Sequence, residues 1–450
     1  MKTGEQIVQE LPWKWAVQGR IFIIGGLGFM FDAWDVALNG FLTPLLGTYW
    51  DLSQTERGLV ATGNLIGMAV GAVVWGTIAD RFGRKRAFAT TLLIFALFSV
   101  LGAFSPNFEI FVLLRFCAGF GLGGCIPVDY ALVSEFSPRR IRGKVLSAMD
   151  GWWPIGATLC GVVATLLVPI DGDIRWRIML LFMILPALLL FWVRRGIPES
   201  PIYLAKAGRE AEARAVIDDM VARTAAPPQD YVILAETRAT GSPLTQLKLL
   251  WSYSPRITSA SWLLFVSIML LYYAALSWMP SILREQGYDD FAAFAGTTLM
   301  TAVGILGVAL SAYLVEVVGR KWVIGISAPL AGGALVLFAV MLDVGSGVLL
   351  WLAVFGFVIQ VPIPVLYCYV SELYPTPLRA SGFGYASSVS RIATGFGPLL
   401  FGSVMWPILG LPLTFAMVTA FVVLAVVWMA YAAPETKGRE LDTLTEKADA

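Results

Sequence analysis

Twelve stretches of roughly 20 or more mostly apolar residues set the limits on what this chain of 450 residues can become. They lie at about 20–46, 57–79, 87–105, 107–133, 143–168, 177–195, 257–283, 291–315, 322–342, 346–372, 380–407 and 411–433. A helix rises about 1.5 Å per residue, so each stretch can cross a hydrocarbon layer of about 30 Å. No soluble core absorbs twelve of them: only 14% of the residues are charged, against about a quarter in a soluble domain. The predicted class is an all-α membrane protein with twelve transmembrane helices. A polar segment, 196–256, splits them into two sets of six. The expected domains are therefore 1–195, a six-helix bundle; 196–256, a central segment with short surface helices; and 257–450, a second bundle with a tail. Interleaved charges and strong helix formers predict a surface helix at 208–223. The first 20 residues are polar, with no apolar core followed by a small-residue cleavage site. No cleaved signal peptide is expected, and the first span itself would direct insertion.

Charge sets the orientation. With both termini and the central segment placed in the cytoplasm, that side holds 26 of the 32 Lys and Arg. The outer side then holds Arg57, Arg175, Arg177 and Arg284, and the spans hold Arg115 and Arg391. Such a bias is the positive-inside pattern. His is absent, so proton chemistry near neutral pH falls to carboxylates. Cys117, Cys125, Cys160 and Cys368 all lie in apolar stretches with no metal-ligand spacing and read as small buried hydrophobes. No metal site, cofactor or nucleic-acid partner is expected. The chain is expected to act as a monomer among membrane lipid.

The two halves repeat. Asp80-Arg81-Phe82-Gly83-Arg84-Lys85 recurs as Glu316-Val317-Val318-Gly319-Arg320-Lys321, 236 positions on. Pro198-Glu199-Ser200 recurs at the same offset as Pro434-Glu435-Thr436, and Ser134-Glu135 with Arg142 recurs 237 on as Ser371-Glu372 with Arg379. Parallel six-helix repeats place a substrate site at the midplane between halves.

Gly76-Thr-Ile-Ala-Asp80-Arg-Phe-Gly83-Arg84-Lys85-Arg86 resembles the signature loop of the major facilitator superfamily. Pro198-Glu199-Ser200-Pro201 and Pro434-Glu435-Thr436-Lys437-Gly438-Arg439 are similar to marks of its sugar-porter-like branch. Gly28-Phe-Met-Phe-Asp32-Ala-Trp-Asp35, Arg115 with Gly121-Leu-Gly-Gly-Cys-Ile-Pro127, and Arg391-Ile-Ala-Thr-Gly-Phe-Gly-Pro398 resemble bacterial niacin transporters, and more distantly the synaptic vesicle glycoprotein 2 and organic ion transporter groups. Cys125 departs from the niacin pattern, which implies an acidic residue there; Asp129 lies four positions on. The resemblance implies the major facilitator fold, two pseudo-symmetric bundles working by alternating access. It also implies a cytoplasmic gate of span-end charges: Asp80, Arg84, Glu135, Arg142 and Glu199, with Glu316, Arg320, Glu372, Arg379 and Glu435 as counterparts. The competing reading of these charges is interfacial solvation.

An ionisable group inside a span costs about 2.5–3.5 kcal/mol on insertion scales, so it needs a wet cavity or a partner. Asp32, Asp35, Asn39 and Thr43 fall on one face of the first span and predict a polar stripe. Arg115 lies at a depth that permits pairing with Asp35; a structural pair and a substrate role both fit. Asp32, Asp35, Asp129 and Asp150 are the expected proton-coupling groups, Asp150 being alternatively a helix-end residue. Arg391, mid-span in the eleventh helix, offers a planar fork to a substrate carboxylate; the competing reading is an arginine held by backbone carbonyls or by a carboxylate such as Asp32. In organic ion transporters an arginine at the matching position goes with anionic substrates, so the resemblance implies an anion. Trp34, Trp152, Trp153, Tyr272, Tyr273 and Tyr367 could stack on a planar ring, though most Trp in such a chain anchor or pack. Gln360 needs polar partners inside the tenth span. The expected substrate residues are Asp32, Asp35, Asn39, Arg115, Trp152, Tyr272, Tyr273, Gln360 and Arg391.

The expected function is transport of a small aromatic monocarboxylate, nicotinate by resemblance, with or without proton symport. A sugar, polyol or other organic-acid porter is the alternative, and a non-transporting membrane receptor a second. No nucleophile–base or metal constellation supports an enzyme.

Overall fold

The computed structural model describes residues 2–233, 243–375 and 378–437, and nearly all of them are helical. Among the described residues, ten helical runs are long and apolar enough to cross a membrane. They fit twelve crossings, because one span is broken and two others run together. The fifth span divides into Arg142–Asp150 and Trp152–Leu166. Pro154 lacks the N–H that would bond to the Asp150 carbonyl, so the helix yields there. The last run, Ser381–Ala432, holds the eleventh and twelfth spans, which part at Gly410 with φ 73° and ψ 168°. That conformation is open to glycine at little cost. The tenth span is likewise interrupted, between Val348–Ile359 and Pro362–Glu372.

The first four spans are Arg20–Tyr49, Gln54–Phe82, Arg84–Gly102 and Phe108–Phe136. The sixth begins at Gly172 and ends at Gly196; the seventh to ninth are Pro255–Glu285, Asp290–Val317 and Arg320–Val344. The predicted surface helix is present as Glu210–Thr224. A capped helix, Gly4–Glu10, precedes the first span, and Lys2–Thr3 pairs in parallel with Tyr231–Val232. That pairing ties the N-terminal segment to the central one, within which the Tyr231 hydroxyl donates to Asp218 at 2.6 Å.

Two packing units emerge. One comprises residues 1–35, 67–156 and 177–240, and the other 36–66, 157–176 and 241–450. In the first, the second and fourth spans approach at glycine. A Cβ on Gly71 would meet the Phe120 carbonyl oxygen at 2.1 Å, and one on Gly123 would meet that of Met68 at 2.0 Å. The glycine-rich run of the fourth span therefore serves helix packing, as small residues do between membrane helices.

Candidate transport site

The repeated loops build the same structure twice. Gly83 and Gly319 adopt φ of 103° and 109°, and each starts a helix. The Glu199 carboxylate accepts from the Lys85 amide at 3.0 Å; Glu435 accepts from the Arg320 and Lys321 amides at 3.0 Å each. Each glutamate thus caps the positive end of a helix dipole. Arg84 reaches Glu135 at 3.4 Å, and Arg320 grips both oxygens of Glu372 at 3.1 Å. Thr436 also donates to Glu372, at 2.6 Å. Arg142 donates to the Ser137 carbonyl at 3.4 Å. Two Arg379 nitrogens are buried without a partner among the described residues. Glu316 is 74% exposed and 3.9 Å from Arg320, a weak contact. The Asp80 side chain lies outside the described residues. Among the described residues, these span-end charges form one close arginine–glutamate pair in each half, Arg84–Glu135 and Arg320–Glu372.

At mid-depth the first unit holds a buried ion pair. Arg115 donates to Asp35 through both terminal nitrogens, at 2.8 and 2.9 Å, and to the Asp35 carbonyl at 3.3 Å. Ser99 sits 3.4 Å from the same carboxylate. All three residues are fully buried. This bidentate fork settles Arg115 as a partner of Asp35. One turn along the first span, Asp32 faces Asp129 of the fourth, and the Cys125 thiol lies beside both. Gly28 leaves the room: a Cβ there would come within 2.9 Å of Asp129 Oδ2. Tyr130 donates to Asp150, so the broken fifth span ties to the fourth through a carboxylate. Phe29 packs between Tyr130 and Trp153, at 5.5 and 5.3 Å. Trp34 stacks on Phe182. Trp152, expected at the substrate, packs on Gly26 and Phe22.

The second unit holds the rest of the polar stripe and the other mid-span arginine. Asn39 donates to Asn64 at 3.0 Å, and Thr43 donates to the Asn39 carbonyl. Tyr272 and Tyr273 meet edge to face at 5.6 Å. Gln360 is buried, its stem against Gly304 and Gly307. Phe265, Tyr367 and Phe383 form a triangle with centroids 5.5–5.6 Å apart. Arg391, two turns further along the eleventh span than Phe383, is half-buried. Within its unit, among the described residues, its guanidinium has no ion-pair or hydrogen-bond partner.

Sequence reasoning missed Asn64, Ser99 and Tyr130, which complete these contacts. Asn64 and Ser99 are polar side chains in apolar stretches and Tyr130 adjoins Asp129, and those were the available signals. It also missed a set of pairs at the far ends of the spans, opposite the Gly83 and Gly319 loops. Glu285 accepts from Arg57 at 2.9 Å and Gln54 at 2.8 Å. Asp290 is held by Arg175 at 2.7 Å and Arg284 at 2.8 Å. All lie in the second unit, so the far ends of the second and sixth spans are bonded to the seventh and eighth.

Twelve crossings, a duplicated loop–helix cap, and charges held at mid-depth define a polytopic transporter of the major facilitator fold. A family model described as "Sugar (and other) transporter" matches residues 21–448, and the chain belongs to that family. It is 33% identical over 425 residues to a niacin transporter of Acinetobacter baylyi, covering 93% of this chain and 94% of the relative. It is 27% identical over 399 residues to a benzoate transport protein of the same organism, covering 87% and 83%. A partially occluded inward-open structure of the E. coli xylose transporter superposes with a TM-score of 0.77 at 20% identity, covering 94% of this chain and 99% of that one. The relatives are transporters, and the chain is not an enzyme.

Proposed function

We propose that the protein moves a small aromatic monocarboxylate, nicotinate first among them, across the cell's inner membrane by alternating access, coupled to protons. The observation that carries this reading is Arg391: a half-buried guanidinium in mid-span with no partner in its own unit. A charge at that depth is costly unless something answers it. A planar fork fits a carboxylate through two parallel hydrogen bonds. Niacin and benzoate, the substrates named for the two relatives, share one carboxylate on one aromatic ring. The rings of Tyr272, Tyr273 and the Phe265 triangle supply faces of the matching kind in the unit that carries Arg391. A neutral sugar or polyol would leave that guanidinium unanswered.

Asp32 and Asp129, buried together in the first unit, are the groups suited to bind and release a proton. Asp150, held by Tyr130, is a second stop nearer the basic end of the spans. The Asp35–Arg115 fork supports the stripe that carries Asp32. On the charge bias, both termini and the Gly83 and Gly319 loops face the cytoplasm, where those span-end charges act as the gate. The far-end pairs on Glu285 and Asp290 then lie at the outer surface and act as its lock.

Proteoliposomes loaded with the purified chain test this. Labelled nicotinate should enter, faster with the outside acidic, and nicotinamide, the neutral analogue, should not compete. Absence of nicotinate uptake with or without a gradient would reject the substrate. Uptake indifferent to the gradient would reject proton coupling.

A further inference from the structure

Where the N-terminal segment meets the loop after the fourth span, the first unit contains a cavity of about 620 Å³, within the range of small-ligand sites. Its walls are Glu10, Pro12 and Trp13 on one side and Arg139, Arg140 and Ile141 on the other. The two sides are fixed to each other: the Arg139 amide donates to the Gln9 carbonyl at 2.8 Å, and Leu11 is buried beneath. Trp13 stands two residues before the apolar run that opens at Trp15, and Arg139 stands three after the run that closes at Phe136. The cavity is therefore at the membrane boundary.

Its charge is unbalanced. Glu10, the acidic residue of the lining, is paired with Lys2. Neither the Arg139 nor the Arg140 guanidinium has a partner among the described residues, and both side chains are exposed. Beside them, an aromatic row leads toward the apolar layer. Trp13 meets Trp15 edge to face at 5.6 Å, Trp15 meets Phe22 at 6.5 Å, and Trp15 is 66% exposed. Exposed tryptophan at the end of a span is suited to the headgroup level of a bilayer. Two free guanidiniums next to such a row fit a phosphate whose other end is apolar.

We infer that this cavity binds the phosphate of an anionic phospholipid, with Arg139 and Arg140 on the phosphate oxygens and Trp13 and Trp15 along the glycerol and upper acyl chain. A soluble phosphate ester would use the arginines but not the exposed Trp15.

The test is lipid retention by the full chain. Protein in detergent is equilibrated with equal phosphatidylglycerol and phosphatidylcholine, and bound lipid is counted by native mass spectrometry. The wild type should retain phosphatidylglycerol preferentially. In R139Q/R140Q that preference should fall roughly 5-fold per guanidinium removed, while phosphatidylcholine retention and the melting temperature in phosphatidylcholine stay unchanged. R139K/R140K, which keeps both charges, should keep most of the preference and guards against a folding defect in the first variant. Equal phosphatidylglycerol retention by wild type and R139Q/R140Q would overturn the site. So would stabilisation of the wild type by glycerol 3-phosphate or inorganic phosphate that matches the effect of phosphatidylglycerol, since the occupant would then be a soluble phosphate.

Discussion

Arg115 and Arg391 are the same residue type inside spans of the same chain, and the structure treats them oppositely. Arg115 is fully buried, with both terminal nitrogens on Asp35 and a third contact to its carbonyl. Arg391 is half-buried and has no such partner in its unit. A guanidinium with its fork filled is part of the scaffold, because opening it would leave two charges stranded in a dry site. An unfilled fork is an offer to something that arrives later. Depth in the membrane does not separate the two arginines; partnership does. The same rule explains the loops. Arg57, Arg175, Arg177 and Arg284 are the basic residues that the charge bias leaves on the outer side, and every one has an acceptor.

The contrast breaks most violently at the filled fork. D35N and R115Q each strand one buried charge, which costs about 3–5 kcal/mol when a partner is removed. Each single variant should therefore melt far below the wild type and lose uptake. D35N/R115Q removes both charges and should recover much of the melting temperature. If the single variants melt like the wild type, the pair is not structural and Arg115 returns as a substrate contact.

At the unfilled fork the expectation is the reverse pattern. R391Q removes no contact within its unit, so its melting temperature should move little. Nicotinate uptake should fall by a factor of roughly 10–150, which is what losing about 1.5–3 kcal/mol of charged hydrogen bonding implies. Titrating the apparent affinity for nicotinate in proteoliposomes gives the number. A large drop in melting temperature with affinity retained would put Arg391 in the scaffold beside Arg115.

How much of this could be read from the chain follows the same division. Periodic and repeated features were legible: the twelve apolar runs, the surface helix at Glu210–Thr224, and the loop repeat that became two matching glutamate caps. Such features depend on local spacing, and hydrophobic length is a local property. The Asp35–Arg115 pair was legible as geometry, from depths counted along two helices, but its choice over a substrate role was not. That choice depended on Ser99 and on the rotation of three helices about their axes. Trp152 illustrates the limit from the other side. Its residue type suggested a ring platform, but the glycine at 26 opened a slot on the first span that the indole fills. The break in the fifth span hinged on Pro154, plain in the sequence but hidden within an otherwise continuous apolar run. The far-end pairs were missed because acidic residues at loop ends look like ordinary solvated charges until a helix from the other half is seen beside them.

Those far-end pairs give the smallest effect and the finest test of the rule. Arg57 and Glu285 keep 24% and 32% of their side-chain surface exposed, and Arg284 and Asp290 keep 28% and 22%. Water competes for such groups, so each pair contributes about 0.2–1 kcal/mol. E285Q should leave folding intact and shift the balance between closed and open outer ends by a factor of roughly 1.4–5. D290N should do slightly more, because Asp290 holds two arginines and one of them, Arg175, is only 7% exposed. The measurement is the rate at which an outside, membrane-impermeant maleimide reaches a cysteine placed at the buried Thr301 in a background whose four native cysteines are replaced by serine or alanine. Rates ordered wild type, E285Q, D290N would show that the exposed pairs act as a lock whose strength follows burial. Equal rates in all three would mean that the outer end is held by packing, such as Trp278 against Phe401 and Trp406, and that partnership decides an arginine's role only where water is excluded.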